Sequence, residues 1–273
     1  MNGSLPSYHF FDTDLQFHRR SVDPTIQSHA SMMFEMLRPS AMSAFSLVEL
    51  KGSYIQNLIL LHRKISDSDN LRTAYTRINN TGGRKASIMV SELIKWLGGI
   101  NFPVNPWAEA RRQLLTLLDA QIAASWEEFQ LSIDTIFNDF NCTRAQEEPQ
   151  DEGDKWTASI PRCSNDNTKC TIVEFMRQFT NELTSLAEAI RAIDTTILTK
   201  ELQHICNIVE KTLTNNKFPW EGTTCRQVGD LLIALQSKLG KALISSNYKE
   251  HSQMSAPLGY QFVHFDVVKI RSK

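Results

Sequence analysis

Apolar positions change their spacing along this chain, and the changes predict its elements. Tyr8-His9-Phe10-Phe11 is a short continuous run that stops at Asp12, as a buried strand ending in a carboxylate would. Residues 21 to 31 read as a loop leading into a short helix. The compact apolar stretch Ser31 to Leu37 is then stopped by Arg38-Pro39. Ala41 to Phe45 fits a second strand. Leu47, Leu50, Tyr54, Leu58 and Leu61 then fall at helical spacing, so a helix capped by Ser43 or Ser46 is expected through Glu49 to about Lys64.

The middle of the chain is helical in pattern. Thr81-Gly82-Gly83 breaks it, a helix is expected over roughly 85–97, and Gly98 to Trp107 reads as a turn. Asn105 would cap the next helix, with Pro106 at its first position. That helix is expected over roughly 106–141, with a stripe of Leu114, Leu117, Leu118, Ile122, Trp126, Phe129, Ile133, Ile136 and Phe140 facing a core. Residues 144–169 are polar and acidic, with Pro149, Gly153 and Pro161, and read as a solvated loop. Helices follow over about 171–193 and 198–213, then a turn-rich loop around Pro219.

The last part changes character. A helix from Thr223 or Thr224 through Leu235, a strand from Lys241 to Ser245, a polar helix or turn from Asn247 to about Met254, and a strand from Gln261 to Val268 are expected. Strands at both ends with helices between them imply an α/β fold, with a parallel sheet built from distant segments by crossover connections. No internal repeat is visible.

Composition narrows the partners. The 273 residues carry 29 basic and 30 acidic groups, a formal charge of -1, so any nucleic-acid contact has to come from a local basic patch. Arg63-Lys64, Arg84-Lys85 and Arg111-Arg112 are the pairs available, and Trp107, Trp126 and Trp220 are the rings that could stack on bases. No stretch approaches the roughly 20 apolar residues of a membrane helix, and the N-terminus lacks the pattern of a secretory signal. Five scattered cysteines fit a reducing cytoplasm. Cys163 and Cys170 share one loop, but no second pair or nearby histidine makes the spacing that zinc prefers.

Carboxylates beside apolar residues are the chemistry that stands out. Asp12 follows the first strand, with Asp14 two residues on. Glu49 lies on the helix after the second strand. Asp230 opens an apolar helix, and Asn247 follows a late strand. A carboxylate in apolar surroundings is costly unless something pairs with it, and a hard divalent cation is such a partner. Ligands of open parallel sheets gather at the carboxyl ends of the strands, where these residues would meet.

Phe11-Asp12-Thr13-Asp14, Ser46-Leu47-Val48-Glu49-Leu50, Gly229-Asp230-Leu231-Leu232-Ile233-Ala234, and Ala242-Leu243-Ile244-Ser245-Ser246-Asn247 together resemble the motifs of the PIN-domain nucleases. The resemblance implies a Rossmann-like, three-layer core over about 1–65 and 216–273, with a large helical insertion over about 66–215. It implies that Asp12, Glu49 and Asp230 are catalytic and hold Mg2+ or Mn2+, with Asp14 and Asn247 as accessory ligands. It further implies hydrolysis of phosphodiester bonds, in RNA first and in single-stranded DNA second. Two departures matter: Asn247 stands where the family has a fourth acid, and the span from Glu49 to Asp230 is long.

Two other readings follow from the same residues. A PIN fold can persist as a scaffold whose helical insertion binds a protein partner. The opening D-x-D after a strand also resembles phosphatases of the haloacid dehalogenase type, in which Asp12 would be a nucleophile and Asp14 an acid/base. Serine-hydrolase and P-loop signatures are missing from the sequence, and the seven histidines form no H-E-x-x-H.

Overall fold

The computed structural model describes residues 8–21, 23–99, 107–145, 148–151, 156–158, 170–194, 196, 198–214 and 222–271. Its strands are β1 (His9–Phe11), β2 (Ser40–Ser43), β3 (Thr135–Phe137), β4 (Gln150–Asp151), β5 (Trp156–Thr157), β6 (Ala242–Ser245) and β7 (Phe262–His264). Five of them form one sheet in the order β3-β2-β1-β6-β7, and every neighbouring pair in it is parallel. Register is set by His9 opposite both Ser40 and Ala242, and by Phe11 opposite Ile244. The architecture is α/β and consistent with three layers.

Parallel neighbours need crossovers, and the helices supply them. Between β1 and β2 run α1 (Thr13–His18) and α2 (Pro24–Met36). After β2 come α3 (Ala44–Glu49), a π-helical segment (Leu50–Ile55), and then α4 (Gln56–Ser66), α5 (Leu71–Asn79), α6 (Gly83–Gly99) and α7 (Trp107–Leu131). From β3 the chain returns to the sheet through α8 (Ile172–Arg177), α9 (Thr180–Arg191), α10 (Lys200–Thr214), α11 (Gly222–Gln227) and α12 (Gly229–Ser237). Helix α13 (Tyr248–Leu258) joins β6 to β7, and α14 (Val267–Arg271) ends the described chain.

Two compact units result. The first comprises 1–48, 132–146 and 161–273, and it contains the whole parallel sheet. The second comprises 49–131 and 147–160. In the second unit α4 packs on α7, α5 and α6, and Lys51 lies fully buried with its ammonium 5.3 Å from the centre of the Trp126 ring. The sequence placed an insertion at 66–215; within that span the structure puts β3 in the first unit's sheet and α8 to α10 in the first unit's core.

That core explains why α12 is apolar on every side. Leu231, Leu232, Ile233, Ala234 and Leu235 are all wholly buried, among Phe45, Leu186, Val209 and Leu243. Burial of each leucine or isoleucine side chain contributes about 1.5–3 kcal/mol. Close approach is required at two glycines beside the sheet. A Cβ on Gly240 would lie 2.6 Å from the Tyr8 carbonyl oxygen, and one on Gly229 would lie 2.3 Å from Phe45 Cε1.

Several boundaries differ from the sequence pattern. The helix expected over 106–141 ends at Leu131, and its last apolar positions become β3. Asp134 drives the change: its carboxylate accepts from Ser40 N at 2.8 Å and Ser40 Oγ at 2.9 Å, which aligns Thr135 and Ile136 against Ala41 and Met42. The helix expected over 171–193 divides at Gln178-Phe179. The one expected through Glu49 to Lys64 widens into the π-helical turn, where the Ser53 hydroxyl bonds the Glu49 carbonyl and the Asn57 amide bonds the Ser53 carbonyl. The last strand is only Phe262–His264. The expected Asn105 cap, Cys163, Trp220 and most of the acidic loop lie outside the described residues. Among the described residues no helix is long and apolar enough to cross a membrane.

Candidate metal centre

The site forms where β1 and β6 end side by side. Asp12 leaves β1 in an extended conformation and caps α1, with its Oδ1 accepting from Thr13 N at 2.6 Å. Its backbone N–H donates to the Ile244 carbonyl at 3.0 Å, which ties the turn to the neighbouring strand. The Ser245 hydroxyl at the end of β6 donates to Asp12 Oδ2 at 2.7 Å. Asp12 is thus buried but well supplied with donors.

Asp14, on the first turn of α1, reaches the same strand end. Its Oδ2 accepts from Ser246 N at 2.7 Å and from Ser246 Oγ, and lies 3.2 Å from Ser245 Oγ, whose proton is on Asp12. Since the Ser246 proton is committed to Asp14, the His18 ring donates to Ser246 Oγ at 3.0 Å. Asp14 Oδ1 is covered and has no hydrogen-bond partner among the described residues.

Asp230 enters from the first turn of α12. The Asn247 side-chain amide donates to its Oδ2 at 2.9 Å, and the Asn247 backbone N–H donates to Ser245 Oγ at 2.9 Å. Asn247 therefore holds the second acid against the strand that holds the first. His251 lies one helical turn beyond Asn247 on α13, wholly buried, with Nε2 3.3 Å from Asp12 Oδ2. One ligand atom each from Asp12, Asp230 and His251 lies within 4.8 Å of the others.

The chain matches no family model, no curated protein and no solved structure.

Electrostatics show a site short of positive charge. Burial and the neighbouring Asp12 push the Asp14 carboxyl up to about 7. Burial and Asp12 push Asp230 up to about 6, and Glu250 adds to the effect. Burial works against the Asp12 carboxylate too, but the hydrogen bonds from His251, Ser245 and Thr13 outweigh it and hold its pKa below the ordinary value. Burial likewise opposes the charged form of His251, yet its contact with Asp12 and the fields of Asp230 and Asp14 raise it. Three carboxylates and one imidazole leave a net negative pocket, and clustered carboxylates of this kind either hold protons or hold a cation.

The donor set fits a divalent cation. Two ligands on one ion lie at most about 4.2 Å apart, twice a bond of about 2.1 Å. The group needs to close by at most about 0.6 Å to reach that limit. The orphaned Asp14 Oδ1 faces the same need for a positive partner.

Of the sequence-predicted residues, Asp12, Asp14, Asp230 and Asn247 are brought together. Glu49 ends α3 half-buried, belongs to the second unit, and is not in the converging group. Sequence reasoning missed His251 and Ser245. A signal existed for the first: His251 is four residues after Asn247, which places both on one face of a helix. Of the expected phosphate and base contacts, Arg112 pairs with Glu109 at 2.5 Å, Arg111 bonds the Ser66 carbonyl at 3.3 Å, Trp107 donates to the Ser68 carbonyl, and Trp126 is core.

Proposed function

We propose that this protein is a metal-dependent nuclease with a PIN-like fold, hydrolysing phosphodiester bonds in RNA. The observation that carries the reading is the meeting of Asp12 and Asp230, from opposite ends of the chain, at the carboxyl edge of a parallel sheet. That edge is where open α/β sheets bind ligands. The sheet order, with β1 between β2 and β6, supports the same reading.

Asp12 and Asp230 hold Mg2+ or Mn2+. Bound there, the dication supplies the positive charge that activates an attacking water and offsets charge building on the phosphate and the leaving oxygen. Ser245 and Thr13 orient Asp12, and Asn247 orients Asp230, so both carboxylates are aimed before substrate arrives. Asp14 braces the Ser245-Ser246 turn on which Asn247 is mounted. The resemblance adds Glu49 as a further ligand, and Glu49→Gln tests that assignment separately.

Cleavage of labelled single-stranded RNA and DNA by the purified chain, with Mg2+, Mn2+ or EDTA, tests the proposal. Metal-dependent cleavage that Asp12→Asn and Asp230→Asn abolish, with circular dichroism unchanged, is the expected result. Activity retained in both variants refutes it.

One observation favours a second reading. An ionised Asp12 beside an Asp14 that titrates near 7 is the charge pattern of a nucleophile and its acid partner, as in phosphatases of the haloacid dehalogenase type. Against it, Asp14 is turned onto the Ser245-Ser246 turn, which occupies one of its oxygens. Hydrolysis of p-nitrophenyl phosphate without cleavage of RNA or DNA decides for the phosphatase.

A further inference from the structure

The geometry points to His251 as a nitrogen ligand of the bound ion, which makes this a centre for a borderline transition-metal dication, of the Mn2+, Co2+ and Zn2+ class, in preference to Mg2+. The inference rests on the metal reading of the site given above and specifies its ligands and its ion.

Three features of the imidazole carry it. The ring is wholly buried and its Nε2 is aimed at the carboxylates, 3.3 Å from Asp12 Oδ2 and within the 4.8 Å group that includes Asp230. Its other nitrogen has a dedicated partner. Tyr260 Oη lies 3.1 Å from His251 Nδ1, and the Tyr260 hydroxyl donates to the His251 backbone carbonyl at 3.1 Å. A phenol has one proton, so with that proton on the carbonyl its lone pairs face Nδ1, and Nδ1 carries the hydrogen. That leaves Nε2 to hold either the proton of its 3.3 Å contact with Asp12 Oδ2 or, in place of that proton, a cation.

An imidazole whose Nδ1 is fixed as a donor binds an ion through Nε2 once the ion displaces the Nε2 proton. Metal-ligating histidines meet that description: one nitrogen binds the ion, and the other donates to a fixed acceptor that sets tautomer and orientation. The surroundings hold the ring in place. Tyr260 meets it edge-on with centroids 6.3 Å apart, and Phe262 lies 5.7 Å away on a tilted plane. The imidazole is therefore positioned by contacts that do not depend on the ion.

Ligand type then selects the metal. Mg2+ takes oxygen ligands and gives up its waters reluctantly, whereas imidazole suits zinc and the neighbouring transition metals, with Mn2+ accepting both. Two carboxylates and one imidazole gain affinity along the series Mn2+, Co2+ and Zn2+. An all-oxygen site would show a much smaller gap between Mg2+ and Mn2+.

Calorimetric titration of the full chain, stripped with EDTA, with MgCl2, MnCl2 and CoCl2 tests this. Absorption of the Co2+ form adds a direct report of nitrogen ligation. The expected result is Mn2+ and Co2+ binding at least about ten-fold tighter than Mg2+. His251→Gln is expected to weaken Mn2+ and Co2+ by about ten-fold or more, to leave Mg2+ nearly unchanged and to shift the Co2+ bands. Tyr260→Phe keeps the ring packing but removes the acceptor. It is expected to lower the Mn2+/Mg2+ preference in the same direction, and it carries the test if His251→Gln does not fold. A merely structural Tyr260 would leave that ratio alone. Equal Mg2+ and Mn2+ affinities, unaltered by either variant, overturn the inference and leave the metal reading standing. No binding of any ion overturns both, and makes Asp12 and His251 a metal-free ion pair.

Discussion

Raising the pH of the metal-free protein should loosen it, and the loss should trace to Asp14. The carboxyl of Asp14 titrates near 7 in the folded chain against an ordinary 3.8, because burial and the charge of Asp12 disfavour its ionised form. Between those values the folded state keeps a proton that the unfolded state has released, so unfolding is favoured as pH rises. The full difference is worth about 4 kcal/mol, of which about 3 kcal/mol falls between pH 5 and pH 8. His251, whose pKa is raised, works in the same sense, since its stabilising contact with Asp12 is lost as pH climbs through its folded value. His9 and His18, lowered chiefly by burial, work in the opposite sense up to pH 6.5. Comparison with Asp14→Asn cancels His9, His18 and Asp230, and most of His251, which is raised chiefly by Asp12. Thermal unfolding by circular dichroism in EDTA should therefore show the wild type losing about 5–10 °C of Tm relative to Asp14→Asn between pH 5 and pH 8. Saturating Mn2+ should remove most of that loss, because the ion replaces the proton as the partner of the carboxylates. Parallel Tm curves for wild type and Asp14→Asn in EDTA would refute the electrostatic account of the site.

Other consequences follow from packing. Gly229→Ala drives a Cβ into the Phe45 ring; it should cost about 1–3 kcal/mol and, by displacing the neighbouring Asp230, weaken Mn2+ binding in calorimetry more than a distant change of equal cost. Gly240→Ala meets the Tyr8 carbonyl, a backbone atom that cannot rotate away, and should lower urea stability by a similar amount with no such bias toward the metal. Asp134→Ala strands the buried Ser40 backbone N–H and hydroxyl and should cost about 1–3 kcal/mol, seen as faster hydrogen exchange in β2 and β3.

Much of the sheet was legible because β1, β2 and β6 are continuous buried runs, each bounded by a polar residue that has a task. Asp12 caps, Ser43 accepts from the Phe45 N–H, and Ser245 donates to Asp12. The meeting of Asp12, Asp14, Asp230 and Asn247 was legible for the same reason, since strand ends determine where their flanking residues project. β3 was not, because Ile133, Ile136 and Phe140 continue the three- and four-residue spacing of α7. What converts them to a strand is Ser40, a partner some 94 positions away. His251 was hidden in a polar stretch that reads as a solvated helix. Its burial comes from Tyr260 and Phe262, which local pattern does not place beside it. The break in the middle helices at Gln178-Phe179 likewise depends on packing against the core of the first unit.

The most direct measurement is the location of the ion itself, by anomalous scattering from crystals grown with Mn2+. The account predicts one strong peak at about 2.0–2.3 Å from a carboxylate oxygen of Asp12, a carboxylate oxygen of Asp230 and Nε2 of His251. At saturating Mn2+, no peak there, with His251 Nε2 still in direct contact with Asp12 Oδ2, would contradict it.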